Sequence, residues 1–253
     1  MIFLNPVFFL KGNHYLLESL FMLKYKTNFK KYLEMLEETI NDPQFPVNDN
    51  ITSLSFLYLY NNKLNYHILE GTFAEAEYLI PEVLDKINLH SEHLDEHHEM
   101  LFYYKIACIY FGNEKYNECV FYLEKIINNK NLYVREDLAC FARLLCLIAH
   151  YESGKDFNLE NQLVSTYKFL IKMNDLHEVQ KEIIRFLKKL STIYPSDIKK
   201  EFIKVKERFV ELEKNTYEKR AFLYLDIISW LESKIENRKI GDIIKEKAKL
   251  SNR

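Results

Sequence analysis

The sequence predicts an all-α protein, a stack of about five or six helical hairpins, and three observations carry that expectation. Apolar residues recur at three- and four-residue steps, as at Leu101, Tyr104, Cys108 and Phe111. Gly and Pro are scarce, 5 of each in 253 residues, too few for the tight turns of a sandwich or barrel. A pattern of forty-odd residues also repeats along the chain, and 48% apolar content can fill a sizeable core.

The repeat is read from its anchors. The segments TNFKKYLEMLEETI, GTFAEAEYLIPEVL and EKYNECVFYLEKII place Phe29, Phe73 and Tyr116 at matching positions 44 and 43 residues apart, and KDFNLENQLVSTYKFL puts Phe157 a further 41 on. Ahead of each anchor runs an apolar helical segment: HYLLESLFMLKY, ITSLSFLYLYNNKLNYHIL, EMLFYYKIACIYF and EDLACFARLLCLIAHYE. In a stack of hairpins every helix touches its own partner and the next repeat, so it buries more than one stripe. Small residues at Ala107 and Cys119 let two backbones approach, and Tyr110 and Tyr116 fill the wedge around them. Ala76 repeats the role of Cys119, since each follows its anchor by three residues. The segment from Glu136 to Glu152 is apolar nearly all round and belongs in the middle of the stack.

The third copy, with Ile106-Ala107, Tyr110, Tyr116, Cys119, Leu123 and Ile126, resembles the tetratricopeptide-like helical repeats, with Cys119 where that family usually places Ala. The second copy keeps Phe73, Ala76, Ile80 and Val83 but has Leu64 where a small residue is expected. The resemblance covers roughly residues 14 to 170, with a period several residues longer than the family's ~34. It implies a right-handed α-α superhelix, a solenoid, whose concave face holds a partner's peptide or helix. On this reading residues 1–175 are the repeats, and residues 176–253 continue the same solenoid to a short polar capping helix, IGDIIKEKAKLSNR. Between them, VQKEIIRFLKKLSTIY stops at Pro195, the next segment opens with Ser196 as an N-cap, and a further helix holds Trp230. At the other end PVFFLKGN leaves Phe8, Phe9 and Leu10 uncovered. The expectation is that this chain is the later part of a longer repeat protein, or that its N-terminal end packs on another chain or a second copy.

Several function classes are disfavoured. The start MIFLNPVFFLKGN lacks a basic leader and a small-residue cleavage site, and no apolar run approaches the roughly 18 residues of a membrane span, so a soluble cytoplasmic protein is expected. Cys108, Cys119, Cys140 and Cys146 form no C-x-x-C pair and read as small buried side chains in a reducing compartment. No glycine-rich phosphate loop, nucleophile elbow or ordered triad is present, so neither an enzyme nor a cofactor is expected. In LHSEHLDEHHEM, His93, Glu96 and His97 match H-x-x-E-H, the inverted zinc-peptidase pattern, which makes a zinc hydrolase the remote alternative. The simpler reading is a solvated linker and first helical turn, with Asp95 and Glu96 complementing the helix dipole.

The expected function is a protein–protein interaction scaffold, and six residues are its candidate contacts. Tyr58, Asn61 and Asn65 share one face of a helix at steps of three and four. In the family resembled, such inner faces carry ligand contacts, often through Asn side chains. Tyr104 adds aromatic area. Arg143 is a lone charge in an apolar helix, to be paired with Asp137, Glu152 or Glu160, or else turned with His150 toward an acidic or phosphorylated ligand. Charge is uneven: residues 1–180 hold 16 basic and 25 acidic side chains, and residues 181–253 hold 19 and 12, for a net −2. The basic C-terminal part raises nucleic acid as the alternative partner, but Lys and Glu interleave there as solvated i,i+4 pairs.

Overall fold

In a computed structural model of the chain, which describes residues 5–129, 136–154, 159–174, 176–190, 192–215, 218 and 226–251, all regular structure is α-helical. Thirteen helices are found among the described residues: α1 (Pro6–Met22), α2 (Lys26–Ile40), α3 (Asp49–Glu70), α4 (Phe73–Glu77), α5 (Ile80–Leu89), α6 (Glu96–Gly112), α7 (Tyr116–Ile127), α8 (Glu136–Glu152), α9 (Leu159–Lys172), α10 (Glu178–Leu190), α11 (Pro195–Glu213), α12 (Ile227–Glu236) and α13 (Ile240–Ser251). Sequential helices pack on one another, α1 with α2 and α3, α7 with α8, α8 with α9, α10 with α11, and α11 with α12. The chain divides into two compact units, residues 1–102 with 244–253, and residues 103–243.

The hairpin turns share one local device. Lys24, Gly71 and Glu114 each follow a first helix in the left-handed region, at φ 56°, 68° and 61°. The next residue's N–H then reaches back five residues, Tyr25 to Leu20, Thr72 to His67 and Lys115 to Tyr110, closing the helix end in a Schellman-type turn. After the turn come the buried anchors Phe29 and Phe73 and the half-buried Tyr116. The fourth anchor, Phe157, lies outside the described residues. Ala76, Ala107 and Cys119 are completely buried, as the crossing of closely spaced backbones requires.

Helix starts correct two details. Asn5 accepts the Phe8 N–H at 3.1 Å and Pro6 opens α1, so PVFFLKGN starts that helix, and of the three residues expected to be uncovered Leu10 is buried, Phe9 half-buried and Phe8 exposed. At α11 the first residue is Pro195, and Tyr194 precedes it with no side-chain cap, so Ser196 lies inside the helix. Proline at the first position has no N–H to satisfy, which lowers the need for a cap. The start of α10 is held from a distance: the buried Glu218 carboxylate accepts the N–H groups of Glu178 at 3.2 Å and Val179 at 3.1 Å.

In the first unit, α3 rests against both α1 and α2. His14 of α1 stacks on Tyr58 of α3 at 4.4 Å between ring centroids. Tyr60 donates its hydroxyl to Glu82 of α5, under Lys63 and Lys86. In the second unit α8 is buried at every position from Leu138 to Ala149 except Arg143, and is enclosed by α7, α9 and α10.

Two outcomes check this architecture. Cys119→Ala is expected to leave stability within about 1 kcal/mol, and Cys119→Leu to cost about 1–3 kcal/mol in urea unfolding, because an extra branch has no room at a fully buried crossing. Asp95 accepts the His98 N–H at 2.9 Å and caps α6. Burial acts to raise its carboxyl, but the bonds and charge of His98 outweigh that and hold it below the usual range. A depressed carboxyl stabilises the fold at neutral pH and loses that contribution as pH falls through its native value. Asp95→Ala should therefore cost about 1 kcal/mol at pH 7, and the deficit should shrink on acid titration of unfolding.

Candidate functional site

Four of the six candidate contacts lie inside their units. Tyr58 is 8% exposed, and Asn61, Asn65 and Tyr104 are each 2% exposed. The polar stripe on α3 is thus an interior one, and Asn62 beside it is fully buried, donating to the Tyr58 carbonyl at 2.8 Å. The physical reason is that α3 is covered by α1 and α2 together, so even its Asn face meets protein. Asn65 Oδ1 has no hydrogen-bond partner among the described residues. Tyr104 bonds the Cys108 thiol, one helical turn on, in the interior of the second unit.

Arg143 and His150 do come together. They line a cavity of about 150 Å³ in the second unit, formed by one stripe from each of three helices. Helix α8 gives Arg143, Cys146, Leu147 and His150, at i, i+3, i+4 and i+7. Helix α9 gives Gln162, Ser165 and Thr166, and the loop end of α7 gives Glu124, Ile127 and Asn128. A fourth member of the α9 stripe, Phe169, sits beneath the Arg143 guanidinium at 4.2 Å from its ring centroid.

The expected ion pair of Arg143 is absent among the described residues. Glu160 is exposed on α9, and Glu152 is engaged elsewhere. The Nε of Arg143 is buried with no hydrogen-bond partner among the described residues. Burial lowers the guanidinium's pKa, and the thiols of Cys140 and Cys146 do little to oppose this. The group stays cationic, since a guanidinium is not deprotonated in proteins. The cavity therefore combines a cation fixed on an aromatic face with a ring of neutral donors and acceptors. Such a site can receive one carboxylate through the guanidinium's planar fork. Glu124 at the exposed rim adds the only carboxylate among the residues that line it.

Glu152, at the end of α8, shows the opposite treatment of a charge. Its side chain is 4% exposed and takes the Trp230 indole N–H at 2.7 Å and Lys234 Nζ at 2.7 Å, both from α12, with the Tyr116 hydroxyl of α7 as a third donor. Burial first, and then the Glu152 charge, push the Tyr116 phenol upward. The thiols are equally structural. Burial pushes Cys108 and Cys146 up to about 12, so neither is a nucleophile at neutral pH.

The histidine-rich segment does not assemble the zinc pattern. His93 lies in the turn before α6, which starts at Glu96, so His93 and His97 do not share one helical face. No group of three metal-ligating side chains is found among the described residues. No helix among the described residues is long and apolar enough to cross a membrane.

Sequence reading named Arg143 and His150 together, which line the same cavity, and did not name the α9 residues opposite them. The signal was present in part: Gln162, Ser165 and Thr166 recur at i, i+3 and i+4, a polar edge beside the buried apolar stripe of Leu159, Leu163 and Leu170. Arg143→Met keeps the length of the side chain and removes the cost of half-burying a charge. It is expected to cause no loss of stability in urea unfolding, and a gain of up to about 1 kcal/mol. Compared with protein-family models, with curated proteins and with solved structures, the chain finds no match.

Proposed function

We propose that this chain is a non-enzymatic protein–protein interaction scaffold that holds an acidic side chain of a partner's peptide or helix in the cavity walled by α7, α8 and α9. The hairpins are read as tetratricopeptide-like repeats winding into a right-handed superhelix, the architecture the anchor spacing suits. The observation that carries the reading is Arg143 itself. A guanidinium resting on Phe169, with Nε buried and no carboxylate partner among the described residues, faces a cavity large enough for a carboxylate group. His150 at the same cavity adds a second polar contact. The buried free thiols suit a reducing compartment such as the cytoplasm.

The nucleic-acid reading has less support, because the basic C-terminal helices are laced with carboxylates. Lys181 pairs with Glu178 at 2.7 Å, Arg185 with Glu182 at 2.7 Å, Lys189 with Glu201 at 2.6 Å and Lys214 with Glu211 at 2.8 Å. These pairs, none of them fully buried, add little stability, but they lower the charge left over for phosphates.

A panel of fluorescent amphipathic peptides, identical except for Glu, Asp or Gln at one central position, tests the proposal by anisotropy. The acidic members are expected to bind at least about tenfold tighter than the Gln member, and Arg143→Met should erase that preference. A preference that survives in the variant, or no preference for acid in the parent chain, overturns the reading. Single-stranded RNA, titrated at several salt concentrations, is the control for the alternative.

A further inference from the structure

Helix α1 has two apolar sides. Leu10, Leu17, Leu20 and Phe21 face inward and are buried against the first unit. On the opposite side, Phe8, Gly12, Tyr15, Ser19 and Met22 follow one another at steps of four and three, the spacing of a coiled-coil seam. All five are exposed, Phe8 at 76%, Tyr15 at 64% and Met22 at 57%. Ser19 donates its hydroxyl to the Tyr15 carbonyl at 2.8 Å, so it presents no unmet donor to a neighbour.

Gly12 needs an explanation. A glycine inside a helix costs about 1 kcal/mol relative to alanine. A Cβ at Gly12 would meet nothing within 4 Å among the described residues, so no contact with them requires its absence. A glycine on an exposed apolar stripe suits close approach by another helix.

We infer that α1 is a self-association surface, on which a second copy of this chain lays its own α1 antiparallel. The pattern of the stripe is complementary to itself in that direction. With Gly12 of one copy opposite Tyr15 of the second copy, Tyr15 falls opposite Gly12, and Phe8 opposite Ser19, at both ends of the contact. Every bulky ring thereby meets a small residue. In the parallel arrangement, Tyr15 meets Tyr15 and Gly12 meets Gly12, which leaves a clash beside a gap. Charge makes the same choice. Lys11 and Glu18 flank the stripe on one edge, and the antiparallel register sets Lys11 beside Glu18 of the second copy, twice by symmetry. On the other edge the half-buried Phe9 meets the exposed Leu16 of the second copy. A parallel pair sets Lys11 against Leu16 and gains no charge pair.

At 17 residues α1 is about 25 Å long, and two such helices cover less than the ~1,200–2,000 Å² of a stable interface. The dimer is therefore reversible and dependent on concentration.

Sedimentation equilibrium of the full chain across the micromolar range, with far-UV circular dichroism as the folding control, tests this. The parent chain should show a monomer–dimer equilibrium. Gly12→Leu should raise resistance to unfolding, by improving the helix, while raising the dimer dissociation constant at least about tenfold. Those opposed directions separate an interface effect from a folding one. Lys11→Glu and Glu18→Lys should each weaken the dimer, and the double change should restore it. A monomer at all concentrations overturns the inference, whatever other protein covers the face. So does a dimer that Gly12→Leu leaves intact, or one that the double change fails to restore.

Discussion

Enclosure of α8 is the constraint from which the second unit follows. A helix buried from Leu138 to Ala149 at every position but one has no solvent side, so neighbours must close around it. Helices α7, α9 and α10 do so, each with a stripe of buried residues of its own. Cys119 on α7 is small and fully buried, close to the Cys108 and Cys146 thiols. The end of α8 is fixed by chemistry of another kind. Glu152 brings a buried carboxylate to the meeting of α7 and α12, and its three donors leave it no unmet lone pair of consequence.

The helices and their packing on sequence neighbours were legible because helix periodicity survives in a single sequence. Phe29, Phe73, Ala76 and Cys119 are buried for the reason their positions suggested, one stripe on each second helix. The turns were legible in place but not in detail. Between α6 and α7 the left-handed residue is Glu114, while Gly112 is the last residue of α6. A side chain other than glycine costs about 1–2 kcal/mol there, and only the closing bond from Lys115 to Tyr110 shows why the chain accepts it.

Polar residues were the illegible part. Asn61 and Asn65 read as an outward face because amides are usually solvated, yet α3 packs on both α1 and α2, and these two and Asn62 are all buried. Lys105, at 1% exposure on α6, makes the same point with an ionisable side chain. Periodicity states which residues share a face; it does not state how many faces are covered. That number belongs to the tertiary arrangement, and the candidate contacts Tyr58, Asn61, Asn65 and Tyr104 depend on it entirely.

Arg143 is where the two kinds of information meet. The sequence shows a cation in an apolar helix and leaves its partner open, since Phe169 is 26 residues away on another helix. An aromatic ring is a different kind of partner from a carboxylate. A bidentate ion pair consumes both the charge and the planar hydrogen-bonding edge of a guanidinium, whereas a ring beneath its face fixes the group in place and leaves that edge for something else. The contrast with Glu152, nine residues along the same helix, is physical: one charge is closed by three donors, and the other is braced but left open toward a cavity of about 150 Å³. A lysine at this position would hold a point charge but could not stack flat on the ring while presenting a fork. A methionine would pack as well and spare the burial of a charge. Packing alone favours neither the charge nor the edge of Arg143, and the acidic partner group proposed above is one that its open edge would engage.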